Sequence, residues 1–229
     1  MSTSAGHADA GYDRPYRDMA TFARVTQWLL YASAAVSAAG FYFSGLGGDG
    51  STLVASAPPA PIEAVVGLLE FPLWIANVVT VLRWTYVANA NARALGATDL
   101  TVTPLMSILW YFIPLANLWM PLQGMREIWK GSVKPHDWET VGTPPPLIFW
   151  WLFWLAAGIS ATIALPMMLE AAGRQPFDPE GATTLLLGAE GLIAISNLLM
   201  IPAALLLAMI IGRVEALQAA HRGSAEALA

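Results

Sequence analysis

The sequence predicts an all-α, polytopic membrane helix bundle. It has four transmembrane helices, a proline-broken helical segment that is re-entrant or interfacial, and both termini on the cytoplasmic side. Three observations lead there. Of 229 residues, 56% are hydrophobic and 12% charged, where a soluble domain carries about 25% charged residues. Four stretches reach the roughly 20 apolar residues that a crossing needs. Basic residues gather on one side of those stretches, as the positive-inside rule requires of the cytoplasmic face.

The first span covers 22–43, after an N-terminal cytoplasmic tail over 1–21. Val36-Ser37-Ala38 imitates a signal-peptidase site. The leader, however, is long and carries Asp9, Asp13 and Asp18, and the apolar run continues through Phe43, so an uncleaved helix is expected. The second span, 62–88, is entered through Pro58-Pro59-Ala60-Pro61. The third, 147–169, follows Pro144-Pro145-Pro146. The fourth, 183–211, is preceded by Asp178-Pro179, an N-cap residue followed by a proline suited to the first helical position. A cytoplasmic tail over 212–229 completes the transmembrane domain of 22–211.

A fifth apolar stretch lies within the broken segment 104–130. Thr103 can cap its start, but Pro114 removes a backbone donor and disfavours helix at Ile113. Asn117 adds a polar group and Pro121 restarts the chain. Such backbone is tolerated near lipid only where its freed groups are satisfied. If 104–121 does not cross, Arg14, Arg17, Arg24, Arg83, Arg93, Arg126, Lys130, Lys134, Arg213 and Arg222 share one side and Arg174 stands alone on the other. That arrangement gives four spans with both ends inside. Beyond the break, Leu122, Met125, Ile128 and Trp129 are expected on one helix face, with Arg126 and Lys130 elsewhere, along the cytoplasmic interface.

Several function classes drop out. The chain has no cysteine, and its histidines, His7, His136 and His221, lie outside the apolar stretches. No thiolate chemistry, metal site or membrane-bound haem is indicated. A net charge of −5 without a basic stripe argues against nucleic acid. Hydrolase and phosphate-binding motifs are missing, so no catalytic residue is assigned and no cofactor is named.

Two intramembrane carboxylates remain. A charged Glu in mid-span costs about 3 kcal/mol on insertion scales, so Glu70 and Glu190 are expected to face the bundle interior or a partner. Asn77 and Asn197 follow each by seven residues, two turns along the same face. The four side chains are a candidate polar pathway for protons or cations. Interhelical hydrogen-bond contacts or solvation at a helix end are the more ordinary reading of the same residues. The repeated spacing, with Trp28 and Ser37 echoed by Trp151 and Ser160, resembles an internal duplication. Arg83 is placed to snorkel to headgroups or to pair with a carboxylate. Tyr86, Asn89, Asn91 and Arg93 follow it as candidates for a headgroup or loop contact. The tryptophans at 110, 119, 150, 151 and 154 suit interfacial belts.

The central block carries a resemblance. It reads Arg83-x-x-Tyr86-x-x-Asn89, then Leu95-Gly96. It continues as Trp110-Tyr111-Phe112-Ile113-Pro114-Leu115-Ala116-Asn117-Leu118-Trp119-x-Pro121, and ends in Met125-Arg126-Glu127-Ile128-Trp129. This resembles a bacterial membrane family catalogued as domain of unknown function 4328. The resemblance implies a multi-pass protein of the bacterial cytoplasmic (inner) membrane and no established activity. It marks Arg83, Tyr86, Asn89, Gly96, Trp110, Pro114, Asn117, Pro121, Arg126, Glu127 and Trp129 as family-motif residues. The expected role is a non-enzymatic accessory, scaffold or regulatory subunit in the lipid bilayer, with a membrane-protein partner or a second copy. The alternative is a small transporter or channel using Glu70 and Glu190.

Overall fold

The structure is a computed structural model and describes residues 15–44 and 61–226. The expectations for residues 1–14, for the linker 45–60 with its proline-rich turn, and for 227–229 lie outside the described residues. Among these residues six α-helices follow in order: α1 (Ala20–Phe43), α2 (Pro61–Ala94), α3 (Met106–Leu109), α4 (Met120–Val133), α5 (Pro145–Arg174) and α6 (Pro179–Glu226). Short 3-10 turns fill Trp110–Phe112, Ala116–Leu118 and Pro135–Thr140. There is no strand among the described residues.

Among the described residues, three helical stretches are long and apolar enough to cross a membrane: Val65–Ala94, Pro145–Arg174 and Pro179–Ser224. They place the chain among membrane proteins. Helix α1 is not among them. At 24 residues it reaches about 36 Å, but Gln27, Tyr31, Ser33 and Ser37 dilute its apolarity. The long helices tolerate internal prolines at Pro72, Pro166 and Pro202. Helix α6 runs on to Glu226 through the stretch expected to be a tail. Its start is as the sequence requires: Asp178 Oδ1 accepts the Gly181 N–H at 2.9 Å, an N-cap bond, with Pro179 following.

The chain divides into two compact units. One comprises Arg24–Val81 and Pro144–Gly212, and we call it the bundle unit. Its seams are built from small residues. Trp150, Ala157, Ala164 and Ala171 recur every seventh residue on α5, and all are buried. Ala182 and Ala189 repeat the spacing on α6. This period keeps one stripe of a helix against its neighbour, and alanine permits close approach. Gly188 of α6 approaches Met167 of α5, whose Cε lies 2.8 Å from where a Cβ would stand. Gln27 of α1 donates to the Ala208 carbonyl of α6 at 2.9 Å. The residues of the suspected duplication occupy unlike surroundings: Trp28 is exposed whereas Trp151 is buried.

The other unit comprises Leu82–Thr143 and Arg213–Ala229 with Met1–Ala23, and we call it the head unit. It holds the C-terminal parts of α2 and α6, all of α3 and α4, and the broken segment. Pro104 to Pro121 forms no continuous helix; its longest helical run is α3 continued by the 3-10 turn, over 106–112. Thr103 caps this piece through its hydroxyl and carbonyl. Helix α4 separates its faces cleanly. Gly124, Met125, Glu127, Ile128, Gly131 and Ser132 are buried, while Leu122, Arg126, Trp129 and Lys130 share the outer face. The expected grouping of Leu122 and Trp129 with Met125 and Ile128 is therefore corrected. At 100° per residue, 122, 126, 129 and 130 fall within one arc, and Trp129 stands beside the cations.

Candidate functional site

The head unit is organised around one buried carboxylate. Glu127 is 1% exposed on the inner face of α4. Its Oε2 accepts the Val102 backbone N–H at 2.9 Å. Its Oε1 accepts the Thr101 hydroxyl and, at 3.1 Å, the Gln123 side-chain amide. The same loop is gripped from α2. Asn89 donates to the Val102 carbonyl at 2.9 Å, and Arg93 donates to the carbonyls of Leu100 (2.8 Å) and Val102 (3.2 Å). Arg93 Nε also donates to Asn89 Oδ1 at 3.3 Å. Residues 100–102 are thus clipped between two helices by an acid, a base and an amide. At the buried Leu100 and Val102, unsatisfied backbone groups would otherwise cost about 1–3 kcal/mol each.

Two unusual backbone positions deliver that loop. Gly96 has φ +106°, and a Cβ there would stand 2.4 Å from the His136 ring. Both the conformation and the close ring require glycine. Asp99 has φ 59°, a left-handed position that aspartate tolerates. Gly131 lets α4 approach α2, since a Cβ there would meet those of Ala92 and Ala97 at 3.2 Å. Trp138 Nε1 donates to the Thr98 carbonyl at 2.8 Å and closes the loop from its far side.

A second polar layer ties the C-terminal part of α6 to this frame. Gln218 is buried and donates to the Ala88 carbonyl and to Ser132 Oγ, both at 2.9 Å. His221 Nε2 lies 3.2 Å from the Val133 carbonyl. Asn91 exchanges two hydrogen bonds with the backbone of Arg17, at 2.9 and 2.8 Å. His136, His221, Lys134 and Asp137 line an open cavity of about 410 Å³. Lys134 pairs with Asp137 at 2.7 Å, and that hydrogen-bonded partner lowers the Asp137 carboxyl below its ordinary range.

Other motif residues do quieter work. The Arg83 guanidinium lies 4.7 Å from the Phe22 ring centroid, a cation–π contact rather than a carboxylate pair. Tyr86 is half-buried, Trp110 is half-buried and Pro114 is exposed. Pro121 occupies the first turn of α4, where its missing N–H costs nothing. At Asn117 it is the backbone N–H, not the side chain, that meets the Ile113 carbonyl, at 2.8 Å. Asn117 Oδ1 is buried without a partner. Of Tyr86, Asn89, Asn91 and Arg93, expected to make a headgroup or loop contact, the last three bond to the chain's own backbone. Gln123, Thr101, Ser132 and Gln218 escaped sequence reading. Only Gln218 left a trace, as a polar residue four positions beyond Val214 on a stripe that includes Leu207 and Ile211.

In the bundle unit, Glu70 is exposed and not turned to the interior as expected, and neither it nor Asn197 makes a hydrogen bond or ion pair among the described residues. Glu70 Oε1 and Asn197 Nδ2 lie 3.2 and 2.7 Å from the point where a Cβ on Gly40 would sit. Glu70 therefore shares its surroundings with the asparagine of the other expected pair. Asn77 donates to Ser33 Oγ at 2.8 Å and to the Leu73 carbonyl at 2.9 Å, leaving its Oδ1 buried and unpartnered. Glu190 is exposed and makes no hydrogen bond or ion pair among the described residues.

Helical units of this kind, with three membrane-length apolar helices, define an all-α membrane protein. Residues 59–216 match the family described as Domain of unknown function (DUF4328), and the chain belongs to that family. No curated protein and no solved structure matches it.

Proposed function

We propose that this chain is a four-span protein of the bacterial cytoplasmic membrane, N-in and C-in, that serves as a non-enzymatic accessory or regulatory subunit of a larger membrane assembly. One observation carries the reading: the spans enclose very little. The most apolar part of Val65–Ala94 has no buried residue, that of Pro145–Arg174 is 11% buried and that of Pro179–Ser224 33%. Leu68 is 76% exposed and Phe71 68%. Helices so thinly covered offer broad faces to other helices. Packing and small-residue contact drive such association in lipid. The head unit supports the reading, because Glu127, Arg93, Asn89 and Gln218 are committed to holding its own loops and helices. The charge distribution supports the topology. Of the ten described basic residues, eight belong to the head unit and only Arg24 and Arg174 to the bundle unit.

The test uses the absence of native cysteine. Leu68→Cys in native membranes, treated with a bifunctional maleimide, is expected to give one discrete adduct with a second protein or a second copy. Exclusively monomeric product at Leu68, Phe71 and Leu169 would remove the assembly reading.

The convergence of Glu70 and Asn197 over Gly40 favours a second reading, a small transporter or channel. It predicts pH-dependent flux in proteoliposomes that is lost in Glu70→Gln. Equal flux in that variant would eliminate the carboxylate route.

A further inference from the structure

Residues 100–125 contain no charged side chain, and the longest helical run in 104–119, α3 continued by a 3-10 turn, covers only 106–112. Eight large apolar side chains between 105 and 119 stay exposed, Leu115 at 73%, Phe112 at 65% and Trp119 at 55%. An apolar patch of this extent marks an interaction surface. The segment is too short and too broken to cross roughly 30 Å of hydrocarbon. Its backbone is nevertheless prepared for a dry environment. The Thr103 carbonyl takes the Ser107 N–H, Leu105 takes Ile108 and Leu109, and Ile113 takes Asn117. Leu115 takes Leu118, Ala116 takes Trp119, and Trp119 takes Gln123. Turns that close their own carbonyls lower the main penalty for irregular backbone near lipid.

The neighbouring surface selects the occupant. The outer face of α4 presents Leu122 and Trp129 together with Arg126 and Lys130. Neither cation has an ion-pair partner among the described residues, and Arg126 Nε is buried with no hydrogen-bond partner. A tryptophan between unpaired cations, next to a charge-free apolar strip, matches the layering of an anionic leaflet: phosphates outside, acyl chains within. A protein partner would have to cover the strip without any charged group on it to fix its register. The spanning helices keep a bilayer permanently at hand. We propose that residues 105–119 form a shallow wedge in the anionic leaflet, with Arg126 and Lys130 of α4 holding the headgroup phosphates. The wedge depends only on residence in a membrane, so a failed cross-link at Leu68 would leave it standing.

The test is depth-dependent quenching of the full chain, reconstituted at one copy per lipid nanodisc. Leu115→Cys carries a small fluorophore, and Glu139→Cys serves as the aqueous control. In discs containing phosphatidylglycerol, a lipid spin label at acyl carbon 5 should quench the Leu115 probe at least twofold more than one at carbon 12. Aqueous iodide should quench it several-fold less than the control. Replacing phosphatidylglycerol by phosphatidylcholine, or introducing Arg126→Gln with Lys130→Gln, should at least halve the shallow quenching. Iodide quenching equal to the control would place the strip in water and overturn the wedge. Protection from iodide and lipid labels alike would assign the strip to a protein contact, and stronger quenching from carbon 12 would mean a crossing. Indifference to both phosphatidylglycerol and the double substitution would overturn the headgroup contact.

Discussion

Removing the Glu127 carboxylate should loosen the head unit while leaving the spans intact. In Glu127→Ala the Val102 N–H loses its acceptor in a site that is 1% exposed at Val102 and at Glu127. A stranded buried donor costs about 1–3 kcal/mol. The emptied side-chain volume adds a cavity term, whereas Thr101, being exposed, recovers a water. A total of about 3 kcal/mol follows, or roughly 100-fold in the local opening equilibrium. Glu127→Gln should cost far less, about 1 kcal/mol. Its carbonyl can take the Val102 N–H while the Thr101 hydroxyl rotates to accept from the amide. The assay is thiol modification of Ser107→Cys, a buried and nearly isosteric reporter beside the clipped loop in a chain without other cysteines. The modification rate should rise about 100-fold in Glu127→Ala and about fivefold in Glu127→Gln. Rates within twofold of the parent in the alanine variant would refute the carboxylate clip.

Two further outcomes follow. Gly96→Ala should lower the melting temperature by several degrees, because a left-handed backbone costs an L-residue about 1–2 kcal/mol. Removing the ring with His136→Ala should rescue only part of the loss, so an unchanged melting temperature would contradict the strain. Burial, with Glu215 and Asp18 close by, raises the Tyr16 phenol above its ordinary 10.0. Its stabilising contribution is therefore complete below pH 10.0 and is lost as pH rises through the higher folded value. Tyr16→Phe should flatten the alkaline limb of a stability-versus-pH curve; an identical limb in that variant would count against the assignment.

The long elements were legible because lipid imposes simple rules. Twenty apolar residues make a span, a capping aspartate before proline starts one, and Pro114 forbids a straight helix through 104–121. The sequence-based boundaries fell short at helix ends, where polar residues continue the helix. Helix α2 runs to Ala94 and α6 to Glu226, carrying Asn89, Arg93 and Gln218 into contacts that hydropathy does not register. The family motif marked Asn89, Gly96 and Glu127 without assigning their work. Their role depends on the loop 100–102, which looks apolar and ordinary until its carbonyls and amide are seen to need partners. That Glu70 and Asn197 both lie beside Gly40 was hidden for another reason. Spacing along one helix gives its faces but says nothing of which neighbour lies opposite.

The most direct test of the account is cysteine accessibility in intact cells. Glu139 and Gln175 are both exposed, so Glu139→Cys reports on the side expected to be cytoplasmic and Gln175→Cys on the opposite side. An impermeant maleimide should label Gln175→Cys and spare Glu139→Cys until the membrane is permeabilised. Labelling of Glu139→Cys in intact cells would mean that 104–121 crosses the bilayer, and the four-span topology would fall.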